Sequence, residues 1–510
     1  MSYVSTESAT MADKAAFQVI VLGPTGGPRE DSVTGILVRS TSTKWSPDSV
    51  VAVDAGTLLA GIIRLLERYI PECKDDQGLM TNGPFQGLEL PYQTAQANAA
   101  HIFREIIGAV LITHPHLDHI SGLAINTPIL EAGAGPKPVA ALPSVLSAIK
   151  NHMFNDIIWP NLSDEDGGAG LLTYQRLVEG GNPRFGRGES RGYVRACNGL
   201  LTKCLSISHG KCKQRYHPES GVHHRAGSTV FAEHQLMIPS RAISVDQTDG
   251  SFYSPARSPR IFPSNPKETP VATVESSAFF LRDHHTGYEI IVFGDVEPDS
   301  VSLESLNKLV WEAAAPKIAT GKLRAIFIEC SYNDSVDDAY LYGHMCPRHL
   351  VAELSVLAAK VAEVRETNTP DKKRKREAPA IPEARSEQVS PRSKRTRSYA
   401  DEKTPSVPPV EPRSHPSESF ELPHVPAAAP PGFSDGGDHA DVVGLEPKGW
   451  DDTEPLPLEG LKVYIIHIKE HLTDGPPPGE QILSELKARG TAAHLGCEFF
   501  IPNPLEGIWI

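Results

Sequence analysis

The chain has 510 residues, 40% of them hydrophobic, enough for at least one sizeable core. Its formal net charge of −14 argues against a nucleic-acid surface spread over the whole molecule. Seven cysteines without a CxxC pair read as reduced thiols of an intracellular protein, and neither a secretory signal nor a transmembrane stretch is visible.

The first strand is expected at Phe17-Gln18-Val19-Ile20-Val21-Leu22, rich in β-branched residues and closed by a Gly-Pro-Thr-Gly-Gly turn. Strands follow at 34–38 and at 50–53, the second ending at Asp54. Leu58, Ile62, Leu65, Leu66 and Tyr69 have helical spacing. A helix over 98–107 leads into the apolar strand Ala109-Val110-Leu111-Ile112. Later, a strand at 204–208 stops at His209, and strands at 277–281 and 288–293 flank a hairpin turn. The run 324–328 ends at Glu329, and 461–466 ends at His467. Between these two, Pro347 opens a long helix with the apolar stripe Leu350, Leu354, Leu357, Val361 and Val364.

Residues 1–16 are expected to be disordered. So are residues 366–450, where dense Pro, Ser, Glu and basic residues cannot offset the entropy of ordering. One folded domain, 17–365 completed by 451–510, is therefore expected. The segments 74–95, 163–195 and 211–270 read as long surface insertions, and no internal repeat is visible.

The chemistry concentrates in Thr113-His114-Pro115-His116-Leu117-Asp118-His119, which sets four metal-ligand side chains within six residues just past an apolar strand. Imidazole and carboxylate are the ligands of a catalytic zinc site that keeps a position open. Two histidines at i and i+2 can converge on one metal, while Asp118 and His119 can face a second. The residues alone leave choices open elsewhere. His209 follows a strand but competes with His152, His217, His223 and His224 as a third ligand. His467 competes with His471, and Asp295 ends an apolar strand in a manner suited to bridging metals. Asp54 reads as a support for a ligand rather than a ligand.

The histidine string matches the HxHxDH pattern of the metallo-β-lactamase superfamily. Within it, His116-Leu117-Asp118-His119-Ile120-Ser121-Gly122-Leu123 resembles the fungal class II 3′,5′-cyclic-nucleotide phosphodiesterases. The same likeness is carried by Trp159-Pro160-Asn161-Leu162, Ser206-Ile207-Ser208-His209-Gly210, Ser276-Ser277-Ala278-Phe279-Phe280, and Phe293-Gly294-Asp295. It continues in Ile328-Glu329-Cys330-Ser331-Tyr332, Gly343-His344, and Tyr464-Ile465-Ile466-His467-Ile468-Lys469-Glu470. Two departures, a looser tail at Ala124-Ile125-Asn126-Thr127-Pro128 and Met345-Cys346 in place of Leu-Thr, remove no ligand.

The resemblance implies an α/β fold, the αββα sandwich, with long surface insertions and a disordered insertion before the last strand. It implies two Zn²⁺ ions, one held by His114, His116 and His209. The other would be held by Asp118, His119 and His467, with Asp295 bridging both. His344 would serve the leaving oxygen and Glu329 would orient it, with Asp118 counted among the catalytic groups as well. The implied reaction is hydrolysis of cAMP, with cGMP as second candidate, to the nucleoside 5′-monophosphate by a hydroxide shared between the zinc ions. That reaction ends a cyclic-nucleotide signal.

The rivals are an RNA 3′-processing nuclease or an arylsulfatase-like enzyme on the same fold, and a non-catalytic interaction protein with a structural metal. The acidic charge counts against RNA. His152, Asn126 and Asn161 are candidate substrate contacts. The basic run Lys372-Lys373-Arg374-Lys375-Arg376 suits a nuclear import receptor. Cytoplasm and nucleus are thus the candidate compartments, and a homo-oligomer is a further candidate partner. No membrane or stable nucleic-acid partner is expected.

Overall fold

The computed structural model describes residues 14–131, 135–226, 271–368 and 455–510. Most of the two stretches predicted as disordered, with the basic run Lys372–Arg376, lies outside those residues. In chain order the strands begin with β1 (Phe17–Gly23), β2 (Gly35–Ser40) and β3 (Val50–Val53). Next come β4 (Ile107–Leu111), β5 (Lys137–Ala141), β6 (Leu172–Arg176), β7 (Val194–Cys197) and β8 (Leu200–Cys212). The short β9 (Gln214–His217) and β10 (Val222–Arg225) precede β11 (Ala272–Asp283) and β12 (Glu289–Phe293). Last are β13 (Leu323–Glu329), β14 (Lys462–Ile466), β15 (Glu498–Phe500) and β16 (Gly507–Trp509). The main helices are α1 (Leu59–Cys73), α2 (Ala95–His101), α3 (Leu117–Asn126), α4 (Pro143–His152), α5 (Asn307–Ala319), α6 (Pro347–Asn368) and α7 (Pro478–Ala492).

Two seven-stranded sheets result, ordered β16-β1-β2-β3-β4-β5-β6 and β15-β14-β13-β12-β11-β8-β7. In each, an antiparallel half gives way to four parallel strands, β3 to β6 in one and β12 to β15 in the other. Parallel strands inside a sheet are covered on both faces, which is why β3, β4, β12, β13 and β14 are buried almost without alternation.

The second sheet shows how one strand feeds two cores. Phe279, Leu281, Ile290, Val292, Ala325, Phe327, Tyr464 and Ile466 join the cluster that also holds the first sheet and α1. Their neighbours Ala278, Phe280, Ile291, Phe293, Ile326, Ile328, Val463 and Ile465 pack instead with α5, α6 and α7. This period-2 division puts sheet against sheet and helices outside, the expected αββα order. The predicted stripe of α6 is the face it buries, with Leu350, Leu354, Leu357 and Val361 all fully covered.

Three expectations need correction. Segment 74–95 is no surface insertion, because Met80, Phe85, Leu88 and Leu90 are each at most 2% exposed and belong to the main core. Segment 163–195 supplies β6 and β7, an edge strand of each sheet. His209 does not follow its strand but lies within β8. The β8–β11 ladder shifts register there, Ser208 pairing with Glu275 and Lys211 with Thr273. Two residues, His209 and Gly210, thus oppose one, a bulge that re-aims the imidazole. Among the described residues no helix is long and apolar enough to cross a membrane.

A buried charge cluster ties β12 to its neighbours. Glu289, with no exposed surface, accepts from Tyr193 Oη at 2.6 Å, Arg282 Nη1 at 2.7 Å and Lys317 Nζ at 2.8 Å. Glu289→Ala leaves two cations and a phenol facing a void, so a stability loss of about 3–5 kcal/mol is expected in urea denaturation. A loss below about 1 kcal/mol, the range of exposed pairs, would show that the cations find other partners.

Candidate metal centre

The parallel strands of both sheets deliver their carboxyl ends to one place, the usual position for a site in sheets of this kind. β3 ends before Asp54, β4 before the histidine string, β12 before Asp295 and β14 before His467, while Glu329 closes β13. The bulge of β8 adds His209. The seven predicted ligands fall into two groups whose donor atoms lie within 4.8 Å of one another: His114, His116, His209 and Asp295, then Asp118, His119, Asp295 and His467. Asp295 belongs to both. Its Oδ1 is 3.2 Å from His119 Nε2 and from His467 Nε2, and its Oδ2 is 3.7 Å from His114 Nε2 and 3.6 Å from His209 Nε2.

Four of the imidazoles are held from behind through Nδ1. His114 Nδ1 meets Thr113 Oγ1 at 3.1 Å, and His119 Nδ1 meets Asp54 Oδ2 at 2.8 Å. His209 Nδ1 meets the Gly343 carbonyl at 2.8 Å, and His467 Nδ1 meets Ser331 Oγ at 3.2 Å. Each therefore presents Nε2 to the centre, the second-shell device by which proteins orient metal-binding histidines. His114 Nε2 is buried with no hydrogen-bond partner. An orphaned buried ring nitrogen surrounded by carboxylate oxygens and other imidazole nitrogens is what a metal ion would satisfy.

The electrostatics fit the same occupant. Burial, with His119 adding to it, keeps His114 well below its usual value, and burial pushes His209 down to about 4. Both rings are thus in the neutral form that ligates metals. His119 moves the other way: burial opposes its charge, but the carboxylates of Asp295 and Asp54 outweigh burial. Asp295 resists burial in turn, held well below the carboxylate range by His467, His119 and His114. Asp118 is likewise held down, against burial, by its 3.2 Å hydrogen bond from His467. Buried anions here draw positive charge toward them. His116 is exposed and Asp118 half-buried, so the centre has one open face.

Behind the centre, Glu329 and His344 form a buried pair. His344 Nδ1 is 3.0 Å from both Glu329 oxygens, which also accept from Val296 N at 2.6 Å and Ser331 Oγ at 2.5 Å. Burial raises the Glu329 carboxyl to about 7 and lowers His344 to about 4. Burial thus disfavours the charge on each partner. Two glycines bring this pair beside His209. Gly210 and Gly343 both have positive φ (66° and 86°), and a Cβ on Gly343 would sit 2.7 Å from Gly210 Cα. That close approach sets the His209 and His344 rings 4.8 Å apart.

The backbone is also strained where it serves the site. Asp54 and His467 adopt φ of 57° and 58°, a left-handed conformation that costs a non-glycine residue about 1 kcal/mol or more. Asp54 uses it to accept from Thr113 N and Thr113 Oγ1, both at 2.8 Å, as well as from His119.

The three candidate substrate contacts separate. His152 ends α4 and lines a cavity that includes Pro115. Asn126 instead accepts from Leu59 N at 3.1 Å, fastening the start of α1. Asn161 closes a local turn, accepting from Ser163 Oγ at 2.8 Å and donating to the Glu165 carbonyl at 2.9 Å. Neither amide is directed at the centre by its bonding. Sequence reasoning missed Thr113 and Ser331, ordinary hydroxyl residues beside recognised ones. It also missed Gly26, where any Cβ would collide with the His467 ring.

The family model of class-II cAMP phosphodiesterases matches residues 17–370, more than half of the chain. A 3′,5′-cyclic-nucleotide phosphodiesterase of Schizosaccharomyces pombe is 28% identical over 68% of this chain and 76% of its own length. One from Saccharomyces cerevisiae is 25% identical over 67% of this chain and 82% of its own. The crystal structure of unliganded yeast PDE1 superposes with a TM-score of 0.56 at 19% identity, covering 97% of this chain and all of that one, and so shares its fold. The two sheets, the histidine string at the end of β4 and the match across residues 17–370 make this chain a member of the class-II cAMP phosphodiesterases.

Proposed function

We infer that the chain hydrolyses 3′,5′-cyclic nucleotides, cAMP and cGMP being the candidates, to nucleoside 5′-monophosphates at a centre of two zinc ions. The observation that carries this reading is the pair of donor groups sharing Asp295, with four histidines locked so that Nε2 faces inward. Relatives named 3′,5′-cyclic-nucleotide phosphodiesterase supply the substrate class. In this proposal His114, His116 and His209 would hold one ion and Asp118, His119 and His467 the other, with Asp295 available to both. When bound, two zinc ions supply Lewis acidity toward the phosphoryl oxygens and lower the pKa of water toward neutrality.

The chain's own groups do the rest. Glu329 fixes His344 through Nδ1, and when the pair carries a proton beyond the one in that hydrogen bond, Nε2 would hold it and pass it to the departing 3′ oxygen. Asp54, Thr113, Ser331 and the Gly343 carbonyl keep the ligands from turning, so little reorganisation accompanies the reaction. A purely structural metal site is closed by four protein ligands, whereas the exposed His116 and half-buried Asp118 leave this one open. With seven cysteines, none paired, the protein suits a reducing compartment, and we place it inside the cell.

The test is release of 5′-AMP or 5′-GMP by purified protein, with and without chelator, alongside metal analysis. Chelator-sensitive turnover in protein holding about two zinc ions per chain is expected. A zinc-loaded protein silent toward both nucleotides would sink the substrate assignment, and turnover indifferent to chelator would sink the metal.

A further inference from the structure

A cavity of about 220 Å³ lies beside the centre with none of the seven candidate ligands in its wall. Pro115, between His114 and His116, forms one side. Glu275 forms another, and it pairs across the β8–β11 ladder with Ser208, next to His209. The wall also includes His152 at the end of α4 and Tyr216 and His223 on the β9–β10 hairpin. The three rings make one cluster. Tyr216 and His223 have centroids 5.3 Å apart, and His152 and His223 are 6.2 Å apart, both pairs tilted. Ser147 Oγ donates to the Gly221 carbonyl at 2.8 Å and pins the hairpin turn against α4.

We propose that this cavity takes the purine base of the substrate, with Tyr216 and His223 as its stacking rings and Glu275 as the acceptor for the base's N–H groups. The proposal rests on the phosphodiesterase reading above. A cyclic nucleotide whose phosphate lies at the metal centre must place its base one ribose away; this cavity is lined by Pro115, between two candidate ligands, and by Val274 and Glu275 of the β11 segment that faces the His209 bulge across the ladder. Its volume is below the ~300–1,000 Å³ of sites for whole ligands, which suits one ring system. Aromatic and imidazole faces stack on any base. His223 Nδ1 is buried without a hydrogen-bond partner, a polar atom aimed at no protein group.

Glu275 supplies direction. Ser206 Oγ donates to its Oε1 at 2.6 Å and Ser144 Oγ donates to its Oε2, so the carboxylate is fixed. Each oxygen keeps a second lone pair. Those sites can accept from the exocyclic amino group of adenine, or from N1–H and the amino group of guanine.

The experiment compares two substrates in the full-length protein: cAMP, and bis(4-nitrophenyl) phosphate, which has no nucleobase. In Tyr216→Ala and in His223→Ala, the ratio of kcat/KM for cAMP to that for bis(4-nitrophenyl) phosphate should fall about tenfold, chiefly through KM. Tyr216→Phe, which keeps the ring, should restore the ratio to within about twofold. An unchanged ratio in both alanine variants overturns the pocket while leaving the phosphodiesterase reading intact. So does a parallel loss on both substrates, which marks damage to the centre itself. A wild-type protein that cleaves bis(4-nitrophenyl) phosphate but no cyclic nucleotide instead overturns the function on which the pocket depends.

Discussion

Asp295→Asn is expected to lower turnover at least ~10³-fold and to empty the centre of much of its metal. The substitution keeps shape and volume, so the effect reads the charge. Asp295 is the one acid in both donor groups, and five imidazoles, those of His114, His119, His209, His344 and His467, approach it within 3.2–3.8 Å. An amide there removes the anion that holds those rings and turns an N–H donor toward at least one Nε2 that should carry a metal. The neighbouring acid cannot substitute. Asp118 sits in one group only, and its closest partner is His467 at 3.2 Å. Metal content by elemental analysis and kcat on the same preparation check this. A variant that keeps two metals and stays within about tenfold of wild type would remove Asp295 from the bridging role.

The candidate site residues were legible because β-strands end at the site, and Asp295, Glu329 and His467 each stand at the end of an unmistakable apolar run. The choice among rival histidines was not settled by pattern. Residues 217, 223 and 224 lie on the β9–β10 hairpin, and only the bulge at His209-Gly210, a long-range pairing of β8 with β11, brings position 209 into the donor group. His467 rather than His471 lies there for a local reason, a left-handed turn directly after β14. Segment 74–95 and the edge strands β6 and β7 were opaque for a different cause. Their apolar residues are few, and Met80, Phe85 and Leu88 become core only through long-range packing into the main cluster. The supporting hydroxyls of Thr113 and Ser331 carry no signal of their own. Their importance comes from which nitrogen of a neighbouring ring they hold.

His344→Ala should lower kcat about 10²–10⁴-fold while KM and zinc content stay near wild type. His344 shares the Glu329, His209 and Asp295 cluster but stands outside both proposed zinc sets, so its loss removes a proton donor and not a ligand. Its Nδ1 is committed to Glu329 at 3.0 Å, which leaves Nε2 for the leaving oxygen. Glu329→Gln then discriminates an orienting role from a structural one. The amide offers an N–H where the carboxylate accepted from Nδ1, so the ring either flips or loses its partner, and turnover falls by roughly 10–100-fold with metal retained. The chemistry of the substrate provides a further check. A substrate whose leaving group is a nitrophenolate needs little protonation, so His344→Ala should damage its hydrolysis far less than that of cAMP. Equal losses on both substrates, or zinc lost together with activity, would make His344 a ligand or a structural residue and return the proton to solvent.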